Sequence, residues 1–408
     1  MQSKTVDRSL PEGWQWARLG DVCDVVNGYG FPEYLQGRID LPYPLIKVSD
    51  MNREGAEIFV TTASHTIDET ILKTIGGKVY PPGTVIFPKV GGALLTNKKR
   101  ILGVQATFDN NVMGVVPKNV LSEWLYYWLL TIDLKTLSNV QALPSIKQSV
   151  VADLRIPLPP LGEQRRIASR LNEQLTAVES ARKAAEEQLQ AAWQLPSAYL
   201  RDVFESSEAK HWQSKFIGDL AETCSGSTPL RSRSDYYIDG TIPWVKTGEL
   251  KDGIIYDSEE HITELALKES SLKLLPEKTL LIAMYGQGQT RGRTTIIAKP
   301  MTVNQACFAI MPNESFDTEF LQFWFRYSYD RLRKETEGRG GNQPNLNGQV
   351  LKKQRALLPP MDEQKSIAKS LKEELRQSKI LQEKLESQLA EINRLPASLL
   401  REAFAGGI

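Results

Sequence analysis

The chain has 408 residues, 41% of them apolar, enough material for more than one core. Its 50 basic and 49 acidic residues give a net charge of +1, which excludes a uniformly polycationic protein but leaves room for local basic surfaces. Three scattered cysteines (Cys23, Cys224, Cys307) and three scattered histidines (His65, His211, His261) exclude a disulfide framework and a zinc site; no apolar run reaches membrane-spanning length and the polar start lacks a signal-peptide core, so a cytoplasmic protein is expected.

From the N-terminus, residues 1–157 read as a β-rich module with short helices. Apolar runs bounded by glycine or proline, at 83–87 and 112–117, read as strands. Residues 121–130 read as a core helix whose tryptophans and tyrosines pack rather than cage a ligand. Basic and amide residues lie in the loops: Lys89, then Asn97, Lys98, Lys99 and Arg100. Residues 141–146 form a loop expected to seat the module on the segment that follows.

Residues 158–205 read as a rod. Pro159-Pro160 ends an extended segment, because proline cannot donate to a ladder and restricts its predecessor. Glu163 then falls in the first turn, where a negative charge suits the helix dipole. Apolar or small residues at Leu171, Leu175, Val178, Ala181, Ala185, Leu189 and Ala192 step by three and four into one stripe. The opposite face is polar, as in Lys183, Glu186, Glu187 and Gln188. Roughly thirty residues at about 1.5 Å each predict a rod of about 45 Å.

Residues 206–357 repeat the module and 358–408 repeat the rod. Trp14-Gln15 through Gly20-Asp21 returns as Trp212-Gln213 through Gly218-Asp219, and Glu123-Trp124-Leu125 as Glu319-Phe320-Leu321. Pro159-Pro160-Leu161-x-Glu163-Gln164-x-x-Ile167-Ala168 returns as Pro359-Pro360-Met361-x-Glu363-Gln364-x-x-Ile367-Ala368, 200 positions on, with Leu200 and Phe204 matched by Leu400 and Phe404. The second stripe is Leu371, Leu375, Ser378, Leu381, Leu385, Leu389 and Ile392. Two such rods can bury each other's stripes, although each could instead pack on its own globular neighbour. The second module carries Arg231, Arg233, Lys246 and a glycine loop holding Gln287, Gln289, Thr290, Arg291 and Arg293; residues 342–347 correspond to 141–146.

Catalytic signatures are missing: no phosphate loop, no histidine–carboxylate cluster with metal spacing, no Ser–His–acid set, and no tetrapeptide of an amino-methyltransferase. The glycine loop misses the dinucleotide fingerprint, since its third glycine comes one residue late. Two arginines on such a loop suit close approach to a polyanion; a plain hairpin turn is the other reading. Lysine and arginine can neutralise phosphates or read guanine, and asparagine and glutamine can pair with adenine; a single such cluster reads as a solvated face, and its recurrence at comparable places in both modules favours a nucleic-acid surface.

The arrangement resembles the specificity subunit of type I restriction-modification systems over essentially the whole chain. The two Pro-Pro-x-x-Glu-Gln-x-x-Ile-Ala segments and the two Trp-to-Gly-Asp openings carry the resemblance, helped by the loop from Gly286. It implies an α+β fold in which two α/β target-recognition domains of similar fold are joined by two long antiparallel, coiled-coil-like helices in an internal pseudo-two-fold repeat. It also implies a non-catalytic chain that binds double-stranded DNA, each module reading one half of a split, asymmetric target and the helices setting the distance between the halves. The implied partners are two modification (methyltransferase) subunits and the restriction subunits, with S-adenosylmethionine, ATP and Mg2+ expected on those partners and no cofactor or metal in this chain. The first module has Gly91-Gly92-Ala93-Leu94 where the second has its Gln- and Arg-bearing loop, so contacts do not transfer from one module to the other. A coiled-coil scaffold with two protein-binding modules, and an autonomous enzyme, are the competing readings; the salt dependence of DNA binding separates them from a DNA reader.

Overall fold

The computed structural model describes residues 10–139, 144–286, 289–337 and 346–407. The chain forms two compact units, Met1–Ala185 with Gln388–Ile408, and Glu186–Ser387. The divisions cut the rods, not the module–rod junctions. Each unit therefore holds one module, the start of the rod that follows that module, and the end of the other rod.

Both modules have one topology. In the first, a five-stranded sheet runs in the order Cys23–Asn27, Val112–Pro117, Val85–Pro88, Arg100–Leu102, Phe59–Val60, the last pair parallel. The second repeats it with Thr223–Ser225, Cys307–Ile310, Leu280–Ala283, Thr294–Ile297 and Gly253–Ile255. The central runs Val85–Pro88 and Leu280–Ala283 are buried at every residue, which is why they read as unbroken apolar segments. A three-stranded sheet, centred on Tyr43–Ile46 or Ile242–Val245, completes each module. The aromatic helices are Ser122–Leu130 and Thr318–Tyr327.

The repeated opening motifs close each module. Gln15–Arg18 pairs antiparallel with Arg155–Leu158, and Gln213–Phe216 with Arg355–Leu358, so the first strand lies beside the strand that leads into the Pro pair. Immediately beyond, the glutamine of the Pro-Pro-x-x-Glu-Gln motif turns inward. Gln164 is 1% exposed; its Oε1 accepts from the Leu121 N–H (2.8 Å) and its Nε2 donates to the Pro159 carbonyl (2.9 Å). Gln364, 2% exposed, does the same with the Asp317 N–H (2.8 Å) and the Pro359 carbonyl (2.8 Å). Leu121 and Asp317 are the residues that open the aromatic helices. The motif is thus a side-chain bridge between a module's core helix and the first turn of its rod.

The first rod is longer than the periodicity suggests, and the second is close to it. The first is one helix, Leu161–Phe204, of 44 residues; the second is Met361–Ile392, of 32 residues, followed after a turn by Leu395–Ala403. Their buried faces differ from the expected stripes at one step. Ala181 and Leu381 point outward, Leu381 being 41% exposed, while Gln382 is buried and its counterpart Arg182 is half-buried. The inward residues of the second rod therefore run 371, 375, 378, 382, 385, 389, 392, a strict alternation of four and three.

The buried glutamine has a local cause. Pro196 lies inside the first rod and has no N–H for the carbonyl of Ala192, four residues earlier. Gln382 Nε2 donates to that carbonyl at 2.9 Å. In the second rod the matching Pro396 sits in the first turn of a new helix, where a missing N–H costs nothing.

The rods pack on the modules as well as on each other. In the first unit Leu171, Leu400 and Ala403 join the core around Trp124, with the Phe404 ring 4.5 Å from that indole. In the second, Leu200, Phe204 and Leu371 join the core around Phe320, whose ring lies 5.5 Å from Phe204. Within that unit the end of the first rod meets the start of the second, so the two run antiparallel there.

Candidate nucleic-acid interface

In both modules the basic loop joins the third and fourth strands of the five-stranded sheet, which are antiparallel neighbours. The glycine loop spans the antiparallel strands Leu280–Ala283 and Thr294–Ile297, so it is a hairpin connection. It is closed by Gly292 N–H to the Ala283 carbonyl (2.8 Å) and Arg293 N–H to that of Thr290 (3.0 Å). The left-handed backbone at Gly292 (φ +88°) explains the glycine. Gln287 lies outside the described residues. The first module puts Gly91–Thr96, a 3-10 turn, at the same place between Val85–Pro88 and Arg100–Leu102.

Several residues expected at a DNA surface are internal supports. Lys99 is 1% exposed; its ammonium donates to Asn97 Oδ1 and the Ile132 carbonyl, both at 2.7 Å, and burial pushes its pKa down to about 8. Asn97, at φ +56°, also accepts from the Leu134 N–H (2.9 Å), holding the turn in place. Lys89 donates to Asn27 Oδ1 at 2.7 Å, with burial lowering its pKa. Arg291 is 6% exposed. Arg100 donates to the Lys99 carbonyl and is lowered by burial. Lys98, partnered by Asn52, and Thr290 are half-buried, and Gln289 is exposed. These placements follow from long-range partners that spacing along the chain does not reveal.

Arg231 and Lys246, distant in sequence, are brought together. Arg231 lies over the rings of both Tyr237 and Trp244, 4.7 Å from each centroid, and its Nη2 donates to Glu260 Oε2 at 2.9 Å. Lys246 Nζ reaches the same carboxylate oxygen at 3.1 Å. The Arg231 hydrogen bond, with Lys246 adding to it, holds the Glu260 carboxyl at about 2. Arg233 stands apart, over the Tyr236 ring at 4.4 Å and paired with Asp235 and Glu269. Lys47, the first module's counterpart of Lys246, was missing from the basic residues singled out above; it sits 5.8 Å over the Phe31 ring and donates to Gln36. Its signal was present in the repeat, Tyr43–Lys47 against Ile242–Lys246. An aromatic-backed guanidinium, an ammonium and a carboxylate in one cluster can meet guanine, phosphate and cytosine amine respectively.

A cavity of about 860 Å³ lies within the second unit, lined by Arg201, Arg293, Arg326, Arg331 and Arg333 and tempered by Glu205, Asp252 and Asp330. Of its lining residues, Gln289 and Arg293 were expected and the other four arginines were not. The Arg293 guanidinium meets Gln289 Oε1 at 3.2 Å and Asp252 Oδ2 at 3.9 Å, while Tyr329 Oη donates to the Gln289 carbonyl at 2.6 Å. Burial lowers the Arg326 pKa, opposed by Asp252. The remaining loops, 141–146 and 342–347, fall partly outside the described residues. Their visible ends bind the module's own basic loop, Gly91 N–H to the Pro144 carbonyl (2.8 Å) and Leu346 N–H to that of Met284 (3.2 Å).

Of the expected helix-pairing residues, Leu171, Leu371 and Leu385 are buried, and Leu175, Val178, Leu189, Leu375, Leu389 and Ile392 are half-buried. Leu171, Leu175, Leu371 and Leu375 serve module cores, which periodicity could not have assigned. Among the described residues no group of three or more His, Cys, Asp or Glu could hold a metal ion, and no helix is long and apolar enough to cross a membrane.

Comparison with known proteins agrees with this two-fold plan. A family model described as the type I restriction modification DNA specificity domain matches residues 11–189 and again 209–391. The chain is 28% identical over 316 residues to the type I restriction enzyme MjaIX specificity subunit of Methanocaldococcus jannaschii, covering 71% of this chain and 70% of that one. It is 23% identical to the EcoKI specificity subunit of Escherichia coli K12, covering 97% and 89%. Its fold matches a chain solved in work on assembly and conformational transition of a type I R-M system (TM-score 0.71, 21% identity, 98% and 100% covered). It also matches the HsdS subunit from Thermoanaerobacter tengcongensis (TM-score 0.61, 20% identity, 99% and 99% covered). With two modules of one topology, each on its rod, and both matched by the family model, the chain belongs to the type I restriction-modification specificity subunits, the non-catalytic component that recognises the DNA target.

Proposed function

We propose that each module reads one half of a bipartite, asymmetric DNA target and that the rods set the gap between the halves while docking two methyltransferase subunits. The observation that carries this is the repeat itself: one topology and one rod attachment occur twice, with different side chains in the basic loops. Identical frames with unlike loops suit two unlike half-sites. In the second module the reading groups are Arg231, Arg233, Lys246, Gln289 and Arg293; in the first, Lys98 and Lys47 stand in comparable places. Restriction subunits complete the assembly, and S-adenosylmethionine, ATP and Mg2+ act on the partner subunits.

Matched four-residue insertions after Ala185 and Leu385 test the reading. Each rod grows by about 6 Å, roughly one turn, and its stripe stays nearly in phase. Methylation mapping of the assembled complex should show a longer gap with the bases of both half-sites unchanged. An active variant that keeps the original gap, or changes its bases, refutes the ruler.

A further inference from the structure

We propose that Gln164 and Gln364 are positioning residues for target reading: each amide fixes the angle at which its own module sits on its own rod, and thereby the gap that the complex accepts. The inference rests on the ruler reading above. Its basis is the pair of bridges described for the fold. Each amide spans two bodies, accepting from the N–H that opens the module's aromatic helix and donating to the first proline carbonyl ahead of the rod. The four distances lie between 2.8 and 2.9 Å, although the modules share little sequence between their anchor motifs.

Apolar packing also joins module to rod, through Leu171 and Leu371. Packing holds surfaces close but has no preferred direction, whereas a hydrogen bond prefers an angle above about 150° and weakens steeply below about 120°. A buried side chain that accepts one hydrogen bond and donates another in a different direction is therefore a device for angle. Glutamate would keep only the acceptor, and methionine only the length. Both side chains being nearly inaccessible, the amides have no direct reading role.

The test uses the full chain assembled with modification subunits and a DNA library carrying both half-sites at gaps shorter than, equal to and longer than the native one. Wild type should methylate one gap. Gln364→Met, which loses both hydrogen bonds, should raise methylation at neighbouring gaps, relative to the native gap, by at least about tenfold, the scale of a single buried hydrogen bond. The bases read in each half-site should stay the same. Gln364→Glu, which retains the acceptor for the Asp317 N–H but sets a carboxylate oxygen against the Pro359 carbonyl, should broaden the profile at least as much as Gln364→Met, and Gln164→Met should match Gln364→Met. Should the methionine variants not assemble, the glutamate variant decides by the same profile. A lower Tm or rate at every gap with a single sharp gap retained would make the amides merely stabilising and overturn the inference. The insertion variant separates the two ideas. If it shifts the gap while the glutamine variants stay sharp, only the positioning role falls; if it does not shift the gap, both fall.

Discussion

Lys99 shows what a basic residue in a loop can be doing. Its ammonium is charged yet buried, and burial rather than any partner dominates its lowered pKa of about 8. The unfolded chain holds that proton up to about pH 10.4, so between pH 8 and 10.4 the folded state binds fewer protons than the unfolded state. Stability therefore rises with pH across this window, relieving a charge-burial cost on the order of 3 kcal/mol that is fully present below pH 8. Denaturant titrations of wild type and Lys99→Met between pH 7 and 10 should show this gain in wild type and not in the variant. Half-site bases should be the same for both, since Lys99 faces Asn97 and Ile132 and not solvent.

At the scale of the element, Gln382 and Pro196 form a compensating pair across the rods. A polar residue in a heptad seam ordinarily costs stability in exchange for register. Here the Ala192 carbonyl, which Pro196 leaves without its helical donor, takes the Gln382 amide instead. Gln382→Leu should destabilise the chain by about 1–3 kcal/mol despite its better apolar fit, because a buried carbonyl loses its donor. Adding Pro196→Ala returns an N–H to the helix and should recover most of that loss. Thermal denaturation of the two single variants and the double variant closes the cycle; additive effects would show that the pair is not coupled.

At the scale of the molecule, the first unit is assembled from distant parts of the chain and the second from one continuous stretch. Leu400, near the C-terminus, lies in the core of the first module, and Leu200 in that of the second. Leu400→Ala should lower the stability of the unit holding residues 1–185 by about 2–5 kcal/mol, and Leu200→Ala that of residues 186–387 by a similar amount. Hydrogen exchange resolved by peptide should find faster opening in residues 15–158 for Leu400→Ala, and in residues 213–358 for Leu200→Ala. The crossed outcome, Leu400→Ala loosening the second module and Leu200→Ala the first, would contradict this division of the cores.

The sequence by itself determined the repeat, the start of each rod at its Pro pair, the aromatic helices and the absence of catalytic motifs. Each of these is local or periodic: proline chemistry, heptad-like spacing and recurrence at 200 positions need no knowledge of what lies opposite. Tertiary structure decided which face of each rod turns inward. Steps of three and four admit 181 and 381 as readily as 182 and 382, and only the carbonyl orphaned by Pro196 makes Gln382 the buried choice. Tertiary structure likewise turned Lys99 and Asn97 from apparent DNA contacts into supports, buried Arg291, and gathered Arg231, Lys246 and Glu260 into one cluster. The physical reason is common to all of them. A polar side chain's role is set by the partner that satisfies it, and those partners, 43 residues away for Gln164 and 190 for Gln382, are neighbours only once the chain has folded.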